Sequence, residues 1–414
     1  MDGGLRLDLE DPIRTTHLLV ASLIASSVAC GDTSAPAEAW TVRDSAGVTI
    51  VHSYRPDWTD ANRWWISPTP VAVLGREDRA VERFHNVTAA ALTASGTLVV
   101  ANSGSGELRS FDSAGNFLWS VGAEGDGPGE FRWIASVRPY RGDSIFAYDD
   151  RLGRGSFFGL NGGLGRTMSF LQSEEGRPED VFPLPDGRFI VQYSGPTSAR
   201  TVDAEGLVVN PTTFRVWSTS GVPDERLLFS APGDELYLLP PRPGTTYVRF
   251  QIPIFGQRAV GAVRGTELVT RLGDSFDLAV VATDGQLAQV LRVAHVRRAI
   301  SPSEVDSTYA ALAGASYEGV PIYPLPYPEF APAFGSILVG GQGAVWVSEY
   351  SQRGEGATRW FVIHPDGGYL GAVSLPIASE VLAIGDSTVV AKIVDAVGLE
   401  RVVLWKLNRP DSSD

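Results

Sequence analysis

The residue types that could carry chemistry are spread along the chain rather than gathered into a known constellation. Its five histidines, His17, His52, His85, His295 and His364, show none of the short spacings that bring two imidazoles onto one metal. No Gly-x-Ser-x-Gly elbow and no His-Glu-x-x-His helix is present. The glycine-rich stretch 122–129 lacks the Lys-Ser/Thr ending of a phosphate loop, and Phe131 and Trp133 behind it open a strand rather than a helix. It reads as a connector between strands. Cys30 is the single cysteine, so the rest of the chain has no disulfide, thiolate metal site or cysteine nucleophile. Asn86-Val87-Thr88 matches a glycosylation acceptor, and a three-residue match is given no weight here.

What remains is a set of polar residues that each follow a short apolar strand: Asn102, Asp149, Asp150, Gln192, Tyr193, Arg271, Glu349, Tyr350 and Lys392. Carboxylates, amides and cations converging on one rim bind calcium, sugars or peptide ends. The plainer alternative is an ordinary solvated loop face. No catalytic residue is assigned. Whether the nine meet at all depends on the elements that carry them.

Those elements repeat. A Gly or Asp turn followed by a short apolar strand occurs at 96–100, 143–147, 186–191, 265–269, 343–347 and 386–390. A second kind of turn recurs as Asp-Ser-Ala-Gly at 44–47 and 112–115, with variants at 284–285 and 365–368. Asp there bonds its own backbone and Gly supplies positive φ, the chemistry of tight hairpins. Leu98 to Ile145 is 47 residues, Ile145 to Phe189 is 44 and Val345 to Thr388 is 43, which suits four-stranded propeller blades. The intervals Phe189 to Leu268 and Leu268 to Val345 are 79 and 77, leaving room for an insertion in each. A seventh blade at Glu235-Leu236-Tyr237 would leave too few residues before Leu268, so the count is six.

The spacing predicts one inserted helix. Ser301-Pro302-Ser303-Glu304 is a capping box with proline at the first helical position, and the helix should run to about Ala313, stopped by Gly314. The hairpin Trp40–Val51 looks like a late strand pair without its blade, and Ile384–Leu407 like a blade without its last strand. Pairing the two would seal the ring and remove exposed strand edges. The expected fold is therefore all-β: a six-bladed β-propeller over 40–410 with one short inserted helix, behind an N-terminal signal segment.

That segment reads as an address. Leu18–Val28 is an apolar run too short to span a bilayer but suited to a signal-peptide core. Ser27-Val28-Ala29-Cys30 then resembles a bacterial lipobox, with Ser27 where Leu is usual. The acidic residues Asp2, Asp8, Glu10 and Asp11 are wrong for a positive n-region, and a misassigned start codon would explain them. Residues 1–30 are thus expected to be a signal peptide with lipobox, lipidated on Cys30, followed by a tether at 31–39 and a tail at 411–414. Ordinary cleavage after a small-x-small site is the alternative. The net charge is −14 and only Lys392 and Lys406 are lysines, so phosphate backbones would be repelled and nucleic acid is excluded as a partner.

Val121-Gly122 followed by Gly125-Asp126-Gly127-Pro128-Gly129-Glu130-Phe131 resembles the interblade signature of bacterial NHL-like six-bladed propellers. The hairpin Val42–Val48 and the closing Arg401-Val402-Val403 resemble the ends of exported members of that group. The resemblance implies fold rather than activity, since one scaffold hosts many functions. The leading expectation is an exported, lipid-anchored binding or scaffolding module of the cell envelope, periplasmic or extracellular if unlipidated. It would recognise an envelope protein, peptide or glycan, need no cofactor, and meet the membrane only through its anchor. The alternative is a calcium-dependent hydrolase resembling the lactonase propellers, with a metal at the channel mouth near Asn102, Asp149 and Glu349.

Overall fold

The computed structural model describes residues 38–410 apart from 77, 143, 175, 196–205, 241–249, 313–315, 318, 319, 322, 323 and 353–355. The signal segment with Cys30, most of the tether, Gly314 and the tail lie outside the described residues. From Glu38 onward the chain forms one compact body.

Six antiparallel units of four strands follow one another. Unit 1 is Val87–Leu92, Leu98–Asn102, Glu107–Phe111 and Phe117–Gly122; unit 2 is Ile134–Tyr140, Ser144–Asp149, Arg154–Gly159 and Leu164–Ser169. Unit 3 is Arg177–Pro183, Phe189–Ser194, Thr212–Trp217 and Pro223–Ala231; unit 4 is Gly261–Arg264, Glu267–Arg271, Asp277–Val281 and Leu287–Val293. Unit 5 takes Ile337–Val339, Val345–Ser348, Ala357–Ile363 and the first half of the long strand Tyr369–Ile384. The second half of that strand opens unit 6, followed by Thr388–Val394 and Glu400–Asn408. All six strands anticipated after the first kind of turn are the second strands of these units.

Second strands are covered on both faces, which is why they read as unbroken apolar runs. In unit 2, Ile145 and Ala147 join a cluster with Val99 and Leu108 of unit 1, while Phe146 and Tyr148 join Val181, Phe189 and Trp217 of unit 3. The same division continues between units 3 and 4, 4 and 5, and 5 and 6. A sixth cluster packs Val390, Val402 and Leu404 of unit 6 against Val87, Leu98 and Phe111 of unit 1. Because that last cluster joins the final unit to the first, the ring is closed. First strands touch between units 1 and 2, 2 and 3, 4 and 5, 5 and 6, and 6 and 1, and they face the axis of the ring. The architecture is an all-β propeller, with one α-helix among the described residues.

Closure differs from expectation. The outer edge of unit 6 is covered by Ala72–Leu74 and Trp65–Ile66, which pair antiparallel with Glu400–Asn408. The hairpin Trp40–Ser45 and Val48–Ser53 instead extends unit 4 to six strands, its second strand lying parallel to Leu287–Val293. The Asp-Ser-Ala-Gly turn reported hairpin chemistry correctly but said nothing about which edge the hairpin covers.

The two long intervals hold accessories. Gly206–Val209, Glu235–Leu238 and Phe250–Gln251 form a separate three-stranded sheet, so Glu235–Leu238 is not a seventh blade. Helix α1 spans Pro302–Ala311, with Ser301 Oγ accepting from Glu304 N at 3.2 Å. Glu304 does not complete the capping box, because its carboxylate pairs with Arg298 at 2.7 Å. Val305 of α1, Ile300, Phe255 and Ala331 form a small core of their own, against which Tyr350 packs.

Candidate binding site at the channel mouth

Second strands all run the same way, so their ends and the connectors between units share one end of the ring. The nine predicted residues are brought to that end, but most are spent on holding it together. Asn102 is buried, accepting from His85 N at 2.7 Å and donating to Ser105 Oγ at 2.7 Å. Asp149 is buried and accepts from the backbone N–H groups of Arg132, Trp133, Arg151 and Leu152, at 2.6, 3.1, 2.9 and 2.8 Å. Tyr193 accepts from Trp217 Nε1 at 2.9 Å, and Gln192 is buried beside Gly261. Lys392 pairs with Glu380 at 2.6 Å and donates to Val87 O. Tyr350 donates to Ile254 O at 3.3 Å, and Glu349 stands near His295 and Arg298.

The connector 122–131 is folded on itself. Glu130 accepts from Gly127 N at 2.8 Å, Arg154 donates to the carbonyls of Asp126, Gly127 and Glu130, and Phe131 is buried. A Cβ on Gly125 would lie 2.1 Å from the Glu130 carboxylate, so this sequence is dictated by packing.

Two predicted residues remain incompletely paired. Asp150 meets Arg177 at 3.1 Å, yet its second oxygen is buried without a hydrogen-bond partner, and burial raises its pKa. Arg271 is buried, stacked 3.9 Å from the centre of the Phe334 ring and donating to Phe334 O at 3.0 Å. Its Nε and Nη1 have no partner, and burial lowers its pKa to about 10.

The residue that sequence reasoning missed is Glu179. It sits at a bulge in the first strand of unit 3, where pairing with the second strand skips from Pro178 to Asp180. Among the described residues its side chain hydrogen-bonds to Ser194, and burial, reinforced by the Asp234 carboxylate, pushes its pKa up to about 7. The neighbouring acids are matched: Asp234 by Arg258 at 3.3 Å and by Ala259 N at 2.7 Å, Asp180 by Arg138 at 2.6 Å. Glu179 makes no ion pair with any described residue. The signal in the sequence was two adjacent acids, Glu179-Asp180, inside a strand that otherwise enters the core. A carboxyl that ionises near neutral pH and makes no ion pair with a described residue has the chemistry to accept a cationic or donor group.

The other end of the channel holds a cavity of about 720 Å³, walled by the ends of the first strands of units 2 to 5, including Arg138, Phe182, Gly261 and Ile337. Arg138 lies over the Phe182 ring at 4.3 Å and its bridge to Asp180 ties unit 2 to unit 3. Among the described residues no three His, Cys, Asp or Glu side chains are placed to hold a metal ion. Asn102, Asp149 and Glu349 belong to units 1, 2 and 5 and do not form a common ligand set. No helix among the described residues is long and apolar enough to cross a membrane.

No family model matches the chain, and no curated protein matches it in sequence. Solved structures do match. A duf4221 family member from Bacteroides vulgatus is 12% identical, with a TM-score of 0.48 over 84% of this chain and 100% of its own. A Bacteroides fragilis protein named as exported is 13% identical, with a TM-score of 0.47 over 87% of this chain and 100% of its own. The calcium-binding protein regucalcin of Agrobacterium tumefaciens is 12% identical, with a TM-score of 0.39 over 82% and 92%.

Proposed function

We propose that this chain is an exported β-propeller, lipid-anchored through Cys30, that serves as a binding module in the cell envelope. Its six four-stranded units are its blades, and its connector 125–131 supports placing it with the NHL-like propellers. The ligand is a protein or peptide segment that presents an amine or guanidinium at the connector end of the channel. The observation that carries this reading is Glu179: a partly buried carboxyl on the innermost strand, held by a serine and crowded by a second acid, with no ion-pair partner among the described residues. Insertion of a ligand cation would return it to the charged state. Arg177 and Arg258 remain to engage the ligand's carbonyls, each already anchored to an acid.

The test is a photo-crosslinking residue at Ser194, in cells producing the full chain, with the same residue at exposed Val42 as control. A discrete adduct from position 194 alone, lost when Glu179→Gln is added, supports the reading. No reproducible adduct, or one indifferent to Glu179→Gln, overturns it. Anchoring is checked separately: Cys30→Ala should move the protein from the membrane pellet to the soluble envelope fraction.

A further inference from the structure

A second cavity lies apart from the channel cavity. It has a volume of about 1000 Å³ and lies where turns of units 5 and 6 meet the N-terminal segment, sharing no residue with the channel cavity. We infer that this cleft is a saccharide site. Its wall carries three tryptophans, Trp40, Trp58 and Trp64, none of them fully buried. Trp58 and Trp64 stand 5.5 Å apart at 40°, so the pair offers two inclined apolar faces rather than one closed stack.

These rings are seated in places made for them. A Cβ on Gly368 would come within 2.8 Å of the Trp40 indole, and one on Gly371 within 2.4 Å of Trp58. Gly368 is outside the left-handed region, so the tryptophan is what excludes a side chain there. Trp58 is further fixed by its N–H to Leu370 O at 2.8 Å. Arg409 lies 4.3 Å from the Trp64 ring centre and donates to Gly385 O at 3.1 Å, which sets one wall.

Around the rings stand groups with hydrogen-bonding capacity to spare. Asp57 and Asp386 are exposed, and neither side chain is hydrogen-bonded to a described residue. Asn62 uses its Oδ1 on Thr59 N at 2.7 Å, leaving its amide donors free. A pyranose matches this pattern. Its C–H face lies on an indole, and each hydroxyl both donates and accepts, toward carboxylate on one side and amide on the other. A lipid chain would leave the carboxylates desolvated and unpaired. A quaternary ammonium would leave Asn62's donors without acceptors and would face the Arg409 charge.

The mature chain is titrated with cellotriose, triacetylchitotriose and maltotriose, with intrinsic tryptophan emission and saturation-transfer NMR as readouts. We expect a saturable response to at least one, with Kd of about 0.1–1 mM. Trp58→Ala and Asp57→Ala should each weaken it about tenfold or more, and Asp57, being exposed, can be removed without endangering the fold. Glu179→Gln should leave it unchanged, which separates this site from the channel mouth. No saturable response to any of the three sugars overturns the inference. So does binding that both cleft variants retain, or binding that Glu179→Gln abolishes.

Discussion

At the scale of single residues, the connector end of the ring holds groups that stabilise the fold and groups that weaken it. Asp149 is of the first kind. Replacing it with alanine strands four backbone N–H groups in a buried loop, so Asp149→Ala should cost about 3 kcal/mol or more in denaturant unfolding. Glu179 is of the second kind. Its folded-state pKa stands above its ordinary 4.5, near 7, so the folded state holds a proton that the unfolded chain releases. Its contribution to stability is therefore fully present below about pH 4.5 and is lost as pH rises through about 7. Glu179→Gln should flatten that part of the pH–stability curve and raise stability at pH 8 by about 1–3 kcal/mol. A curve unchanged between wild type and variant would contradict this. Arg271 is similar: a buried cation with two unpartnered donors. Arg271→Met should be neutral or stabilising by about 1–2 kcal/mol in thermal unfolding.

At the scale of elements, the closing contacts decide what can be removed. Leu74 is buried in the cluster between units 6 and 1, and Leu74→Ala should cost about 2–4 kcal/mol. Removing the hairpin 40–53 leaves the edge of unit 6 covered and should preserve a cooperative melt. Removing everything through Leu74 uncovers the edge of Glu400–Asn408 and should give aggregation instead. Comparing the two truncations by calorimetry and light scattering distinguishes the observed closure from closure by the hairpin. The sequence was most legible where local chemistry dictates local structure. Aspartate-glycine turns, doubly buried second strands such as Ile145–Tyr148 and the Ser301 cap were all readable in place. It was opaque where the question concerned remote partners. Trp65–Ile66 and Ala72–Leu74 are too short to show alternation, and their partner lies over 300 residues away. The rim residues failed for a related reason: position after a second strand predicts which end of the ring a side chain reaches. It does not predict whether that side chain is already taken by the connector beside it, as Asn102 and Asp149 are. Glu179 was hidden because a bulge, which pairing alone reveals, turns it away from the register of its strand.

At the scale of the whole molecule, six interfaces of similar make-up link six units without a free end. An open array of repeats frays from its terminal members, whereas a closed ring has none to lose first. The docked hairpin adds a property of a different kind, which concerns mechanical load. Any pull on the chain upstream of Glu38 reaches the body through Trp40. It must first open the six residue pairs between Trp40–Ser45 and Val48–Ser53, one after another from the Trp40 end. The five parallel pairs to Leu287–Val293 come next. The backbone bonds of Asp57 to Tyr369 and of Trp58 to Leu370 follow, and only then does tension arrive at Trp65, where the ring is fastened. The hairpin thus acts as a sacrificial clamp, able to yield and re-form under tugging while the lock beyond it stays slack.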